Sequence, residues 1–300
     1  MMERRRSFDQ DGDPLSGDTR YRSLFEGVPI GLYITTAAGR ILDANPALVQ
    51  MLGYSSKEAL LGIAASDLYE NPVDRDHERS LFENDRLIQS YEARLRRSDG
   101  ELIWVRDTCR AIRDGSGAIL GFEGSLQDIT EERLAKQKLN YIARHDSLTG
   151  VLNRYALSEI LEREASRAKR YMHPIGILMI DVNRFKEVND RFGHSKGDKV
   201  LQLVSKVLCS SVRDTDYVVR YGGDEFLLLL LESNREAQSV RDRIVETMAA
   251  RSPRELLVDF RLTLSIGIAH WMPDANQSIE IILSQADQAM YADKCRQANG

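Results

Sequence analysis

The stretch from Tyr217 to Leu231 leaves this chain few ways to fold. Two apolar runs, Tyr217-Val218-Val219 and Phe226 to Leu231, flank Gly222-Gly223-Asp224-Glu225. Apolar runs joined at paired glycines predict a β-hairpin with a tight turn. Without a Cβ, Gly222 and Gly223 leave room for a ligand to reach backbone N–H groups. Two carboxylates, Asp224 and Glu225, come next, at the start of a strand that reads as fully buried. Acids at the rim of a core are costly unless they hold a cation or a donor. The plain alternative is a solvated hairpin tip.

A chain of 300 residues is long enough for two domains. Its 42% hydrophobic and 29% charged content is that of a soluble globular protein. A net charge of -5 gives no bulk attraction to nucleic acid, so no such partner is expected. Cys109, Cys209 and Cys295 lie far apart with no C-x-x-C pair. That argues against a disulfide framework or a zinc site and fits a reducing, cytoplasmic location. His77, His145, His173, His194 and His270 show no paired ligand spacing. No apolar run approaches the ~20 residues that cross a bilayer. Arg4-Arg5-Arg6 has no apolar segment behind it, so no signal peptide is expected.

Residues 1 to 19 are polar, with scattered Gly, Asp and Pro, and predict a disordered tail. Residues 20 to 128 are mixed and mostly β. Gly31 to Thr35 and Ile41 to Ala44 read as strands around a turn at Ala38-Gly39-Arg40. Pro46 suits the first turn of a short helix through Met51. Ser55 or Ser56 caps another that reaches Leu61. Asp74 to Ile88 is charged with a helical period. Tyr91 to Leu95 alternates like a half-buried strand. Ile103, Val105, Cys109 and Ala111 share one face of the next strand, and Leu120, Phe122 and Leu126 belong to the last.

This order of elements resembles a PAS sensor domain, as do Gly39-Arg40-Ile41-Leu42-Asp43-Ala44-Asn45 and Asp128-Ile129-Thr130. The resemblance implies an antiparallel sheet with short helices, forming a small cup for a ligand or a dimer face. The ligand is unknown. The flavin-adduct subclass uses a helix cysteine, whereas Cys109 reads as strand. Only His77 lies on a plausible helix for a haem ligand, and a surface role is commoner for a lone histidine there.

Residues 129 to 145 read as a linker helix, with Asp128 and Glu131 placed to cap free N–H groups. Ala135, Leu139 and Ile142 form a stripe at helical spacing. It either packs on its own domain or pairs with a second copy as a short parallel coiled coil.

From Asp146 the signals become dense. Asp146 to Arg154 is a turn into a charged helix, Ala156 to Tyr171, with Leu157, Ile160 and Leu161 inward. Gly176 to Ile180 is continuously apolar and predicts a central strand covered on both faces. It ends in Asp181, where α/β folds gather ligand-binding groups. Asn183 to Asp198 is polar and irregular. Lys199 to Val212 predicts a helix, as do Arg235 to Ala250 and Ser278 to Lys294, with a strand over Phe260 to His270. Such an order predicts a mostly antiparallel sheet with helices on one face.

Gly222-Gly223-Asp224-Glu225-Phe226 is the GGDEF signature of diguanylate cyclases, and residues 146 to 300 resemble that family through several spaced motifs. These are Asp146 to Arg154, with Val151 for the usual leucine, then Asp181 to Asp198, Ser265-Ile266-Gly267 and Met290 to Lys294. The implied fold is α+β, with a sheet like that of polymerase palms and class III nucleotide cyclases and flanking helices. The implied reaction joins two GTP into cyclic di-GMP across a homodimer, with release of two pyrophosphates. The resemblance implies Mg2+ or Mn2+ held by Asp181, Asp224 and the carbonyl of Val182. Asp224 or Glu225 is the candidate base. Gly222 and Gly223 bring backbone to the nucleotide, and Lys186 and Lys294 take phosphates. Asn189 and Asp198 read guanine, whose ring N–H and exocyclic amine suit one carboxylate. His194, between them, touches substrate or shapes its loop.

Arg213 to Asp216 has the RxxD form of the family's inhibitory product site. Arginine suits a guanine edge through two parallel hydrogen bonds. Two positions depart from the family pattern. Ala298 stands where a second phosphate-binding arginine is usual, with Arg296 two residues earlier, and Arg184 replaces a usual aromatic. The residues leave two readings: an active, sensor-controlled cyclase, or a nucleotide-binding receptor that has lost catalysis, which only Ala298 favours.

Overall fold

The computed structural model describes residues 17–71, 73–74, 87–232, 236–250, 257, 259–273 and 277–298, in two compact units divided within the linker helix. In the first unit, strands β1 (Gly31–Thr36), β2 (Ile41–Ala44), β3 (Leu87–Arg96), β4 (Leu102–Arg113) and β5 (Ile119–Asp128) form an antiparallel sheet in the order β2-β1-β5-β4-β3. Ile103, Val105 and Cys109 alternate inward on β4 and bury against Leu48, Leu52 and Leu60. Those leucines belong to, or directly follow, helices α2 (Pro46–Met51) and α3 (Lys57–Leu61). Ser56, not Ser55, caps α3 through the Ala59 N–H. Asn45 caps α2 and is fully buried; its oxygen accepts from Leu48 N at 3.0 Å, and its amide donates to the Phe25 and Ile30 carbonyls at 3.0 and 2.8 Å.

Two expectations for this half change. Residues 1 to 16 lie outside the described residues, and residues 17 to 19, expected in the tail, belong to helix α1 (Gly17–Gly27). Tyr21 and Phe25, one turn apart, stack at 5.8 Å and support it. Leu120 belongs to β5 as expected, and a bulge between the Ile112 and Arg113 pairings leaves it as an extra, exposed residue there. Ile88 belongs to β3, while positions 75 to 86 of the expected helix, His77 included, lie outside the described residues. Helix α4 (Thr130–Arg144) comes after β5, and Asp128 Oδ1 accepts the Thr130 N–H at 2.8 Å. Leu134, Leu139 and Ile142 on it are all exposed. Among the described residues, no helix is long and apolar enough to cross a membrane.

The second unit is built on β7 (Ile175–Val182), every residue of which is buried. Its sheet runs β10-β7-β9-β8-β6, with β6 (Leu152–Asn153), β8 (Tyr217–Gly222), β9 (Glu225–Leu231) and β10 (Leu264–Trp271). Only the short β6–β8 pair is parallel among these neighbours. Helices α5 (Arg154–Tyr171), α6 (Phe185–Phe192), α7 (His194–Ser210), α8 (Glu236–Ala250) and α9 (Ile279–Ala298) accompany it. They cover both faces, not one. Leu178, Ile180, Leu228 and Leu230 pack with Val204 of α7 and Ile244 of α8. Ile177, Met179, Leu227 and Leu229 pack with Ile160 of α5 and Met290 of α9. The reason is visible in β7 and β9, which are apolar at successive positions and so present no face to water.

The polar segment after Asp181 is also not irregular. It forms α6 and the first turn of α7, which begins at His194 rather than Lys199. Phe185, Val188 and Phe192 recur at helical spacing and supply the apolar stripe. On the other side, α9 lies directly on β10 at Gly267. A Cβ there would fall 2.1 Å from both the Ala286 oxygen and the Met290 nitrogen. Gly267→Ala should therefore cost about 1–3 kcal/mol through overpacking. Urea denaturation should show this as a lower midpoint with an unchanged slope.

Candidate active site

Strand register assembles the acids. Asp181 lies opposite Glu225 of β9 and opposite Ser265 of β10. Alternation places Asp181 in the row of Ile175, Ile177 and Met179, and Glu225 in the row of Leu227 and Leu229. Both rows face α9. The hairpin pairs Gly222 with Glu225, so Gly223 and Asp224 form the two-residue turn. Gly223 has φ +48°, a left-handed conformation that favours glycine. Asp224 thus sits in the turn itself rather than on the strand. Its carbonyl accepts the Val182 N–H at 3.2 Å, which fastens the turn to the end of β7. Asp181 is 5% exposed, and Lys294 Nζ from α9 stands 2.7 Å from its Oδ1.

The site is short of positive charge. Burial pushes the Asp224 carboxyl above its usual range, and the Asp181 charge adds to this against a lowering backbone hydrogen bond. Burial likewise raises Glu225, followed by the charges of Asp181, Asp224 and Asp287, with Lys294 opposing them. Among the described residues, no three His, Cys, Asp or Glu side chains converge as a ready-made cage. Two carboxylates beside main-chain oxygens nevertheless fit a hard divalent cation that keeps several waters. Such a cation would relieve the repulsion that the acids impose on one another.

The turn is braced from a distance. Arg220 Nε and Nη2 donate to the Gly223 carbonyl at 3.0 and 2.7 Å. Its Nη1 donates to Asp146 Oδ1 and Oδ2 at 2.9 and 3.1 Å. Thr149 adds its N–H and hydroxyl to Asp146 Oδ1 at 2.9 and 2.7 Å. Burial alone would raise the Asp146 carboxyl, but the bonds from Thr149 and Arg220 together hold it below the usual range. Sequence reading placed Asp146 in a motif without a role and passed over Arg220; the available signal was an arginine two residues ahead of the paired glycines.

Of the residues expected to bind nucleotide, Asn189 lies on α6 and His194 and Asp198 on α7, while Gly222 and Gly223 lie at the hairpin and Lys294 on α9. A Cβ on Gly197 would fall 2.0 Å from Asn189 Oδ1, so this glycine lets Asn189 of α6 lie directly on α7, one residue ahead of Asp198. Gly197 was read only as part of a loop. His194 and Asp198 are exposed on the first turns of α7, and Lys186 is exposed on the first turn of α6. Arg184 caps α6 in the left-handed region, φ +59°, with its guanidinium on Glu187 at 2.8 and 2.6 Å and over the Phe260 ring at 5.0 Å.

Arg213 and Asp216 lie at the far end of the hairpin. Both oxygens of Asp216 accept main-chain N–H groups, from Arg213 and Leu231 at 3.0 Å. Arg213 pairs with Glu236 at 2.7 Å. Arg296 pairs with Asp293 at 3.4 Å, so Lys294 is the cation that α9 delivers to Asp181.

Residues 143–300 match the family profile described as diguanylate cyclase, GGDEF domain. The chain belongs to the GGDEF family. Ahead of the GGDEF domain, residues 29–131 match the PAS domain profile. Diguanylate cyclase DosC of Escherichia coli (strain K12) is 39% identical over 175 residues, covering 55% of this chain and 37% of that protein. An uncharacterized signaling protein of Caulobacter vibrioides is 30% identical over 286 residues, 92% of this chain and 33% of its own. The chain therefore spans little more than a third of these relatives' length. The crystal structure of the coiled coil and GGDEF domain of DgcB from Caulobacter crescentus, in complex with c-di-GMP, is 26% identical with a TM-score of 0.51. It covers 55% of this chain and 88% of that one.

Two substitutions should shift GGDEF stability in opposite senses. Asp146 has a depressed carboxyl in the folded state, so its contribution is complete above the unfolded value near ~4 and is lost as pH falls through the folded one. Asp146→Asn should cost about 2 kcal/mol at pH 7, and the penalty should shrink toward pH 3. Asp224 has a raised carboxyl, so its charge destabilises the fold above that folded value. Without divalent cations, Asp224→Asn should raise the melting temperature at pH 8, and the gain should fade on acidification. Thermal melts across pH check both; a pH-independent effect would show that shape, not charge, is responsible.

Proposed function

We propose that this chain is an active, sensor-regulated diguanylate cyclase that condenses two GTP into cyclic di-GMP and two pyrophosphates. One observation carries the reading: Asp181 lies opposite Glu225 at the end of β7, Asp224 sits in the adjoining turn, and the Asp181 charge raises both other carboxyls while Lys294 opposes it. In each half-reaction the 3′-oxygen of one GTP attacks the α-phosphorus of the other, and the bond to pyrophosphate breaks. Mg2+ or Mn2+ held by Asp181, Asp224 and the Val182 carbonyl would acidify the attacking hydroxyl and neutralise phosphate charge. With Asp224 a ligand, Glu225 is left to accept the hydroxyl proton, and its raised carboxyl suits it to that task.

Lys294 moves from Asp181 to the phosphates, where Lys186 joins it. A Cβ on Gly222 or Gly223 would meet nothing within 4 Å, so the turn borders open space for the nucleotide. Asn189 and Asp198 read guanine, with His194 beside them. Each domain supplies one GTP, so two copies must face each other. The exposed Leu134, Leu139 and Ile142 of α4 suit a pairing of two chains that concentrates the half-sites. Product binds at Arg213, with Asp216 holding the turn that presents it.

A receptor without catalysis draws support from Ala298 and from the engagement of Arg296 with Asp293. Incubation with GTP and magnesium, followed by mass spectrometry, separates the two readings. The expected result is cyclic di-GMP from the wild type and at least ~100-fold less from Asp224→Ala. An inert wild type, together with inertness of the catalytic domain fused to a constitutive dimer helix, would leave the receptor.

A further inference from the structure

We propose that Asn183 and Gln297 are a positioning pair that sets Lys294 against Asp181, and that residue 183 must be an amide to do so. The proposal rests on the cation-binding role of Asp181 in the cyclase reading. Asn183 is 8% exposed just beyond β7. Its Nδ2 donates to Gln297 Oε1 and Thr263 Oγ1, each at 3.0 Å, and its Oδ1 accepts the Ser265 hydroxyl at 2.7 Å. Its backbone N–H donates to the Thr263 carbonyl at 3.0 Å.

Gln297 has its own orientation fixed. Its Nε2 donates to the Leu264 carbonyl at 3.1 Å and to Asp293 Oδ2 at 3.0 Å. Asp293, only 6% exposed, also accepts the Ile266 N–H at 3.1 Å. A flipped Gln297 amide would set oxygen against both the carbonyl and the carboxylate. Oε1 must therefore face residue 183, and only a donor satisfies it there. A carboxylate at 183 would place acceptor against acceptor and add charge beside Asp181.

The same two elements carry the ion pair. Asp181 and Asn183 lie two residues apart at the end of β7, and Asp293, Lys294 and Gln297 share α9. A network that locks Asp293 and Gln297 onto β10 and Asn183 fixes α9 along its axis. That placement lets Lys294 reach Asp181, and it holds the lysine where incoming phosphates will be. Asn183 and Gln297 act through Lys294 and touch no reacting atom.

The consequence is a split in affinities. With the network cut, Lys294 competes less for Asp181, so free Mn2+ should bind more tightly. Mn2+ bound with a non-reacting GTP analogue should bind more weakly, because the lysine is no longer held for phosphate. Gln297→Ala tests this at an exposed position, and Asn183→Asp tests the donor requirement. Electron paramagnetic resonance of free Mn2+, with and without the analogue, should show shifts of about three- to tenfold in opposite directions. Asn183→Asp combined with Gln297→Arg inverts donor and acceptor and should return both affinities toward wild type. Parallel losses of both affinities, or none, overturn the proposal, as does failure of the inverted pair to recover them while its melting temperature matches wild type. A split in a protein that makes no cyclic di-GMP sinks the cyclase reading alone. Turnover by the wild type without a split sinks the positioning pair alone.

Discussion

A carboxylate almost sealed from water, at the end of a wholly apolar strand, is the constraint on which the GGDEF domain turns. The run Ile175 to Ile180 must be covered on both faces, so β7 takes the centre of the sheet. Centrality buries the next residue as well, and Asp181 is left at 5% exposure. Glu225 is its cross-strand neighbour, and Asp224 sits in the adjoining turn. Burial and mutual repulsion raise both of those carboxyls, and Lys294 offsets only part of this. An arrangement that costs the fold stability is coherent when a cation and phosphates complete it.

The position of that turn depends on contacts far away in sequence. Asp146 and Arg220 are 74 residues apart, yet Nη1 of Arg220 bonds both Asp146 oxygens while its Nε and Nη2 hold the Gly223 carbonyl. Asp146 lies just past the end of α4, and its backbone N–H bonds to the Val151 carbonyl at 2.8 Å. A displacement of the chain at Asp146 is therefore felt at Gly223 through a single guanidinium. This link is a physical connection between the linker's end and the GGDEF turn, independent of what the PAS domain senses.

Local pattern made much of this legible. Paired glycines between apolar runs revealed the hairpin, an unbroken apolar segment revealed β7, and motif spacing brought out Asp181, Asp224, Asn189 and Asp198. The failures share a cause. Asn183 to Asp198 looked irregular because its many polar residues hide the stripe of Phe185, Val188 and Phe192. Helices were assigned to one face because element order says nothing about which side each helix crosses. The apolar runs themselves already required cover on both sides. Arg220, Gly197, Asn183 and Gln297 matter through partners distant in sequence, and no local periodicity reports a partner. Gly197 illustrates this, since its need for a bare Cα arises from Asn189 on the preceding helix.

Ala298 must be weighed on the same physical scale. Loss of one cation near the end of α9 weakens a phosphate contact at a solvated rim, where single charge pairs contribute little. Arg296 pairs with Asp293 from a largely exposed position, a contact too weak to fix its side chain. Against this stands the cluster at Asp181, whose acids are partly or wholly buried and whose repulsion is not screened to the same degree. A nucleotide-binding receptor that had lost catalysis and worked through protein contacts would gain stability by neutralising Asp224 or Glu225, because burial disfavours their charged forms. The half-buried acids beside Asp181 therefore cost the fold more than the missing arginine does, and a bound cation would offset that cost whether or not catalysis follows.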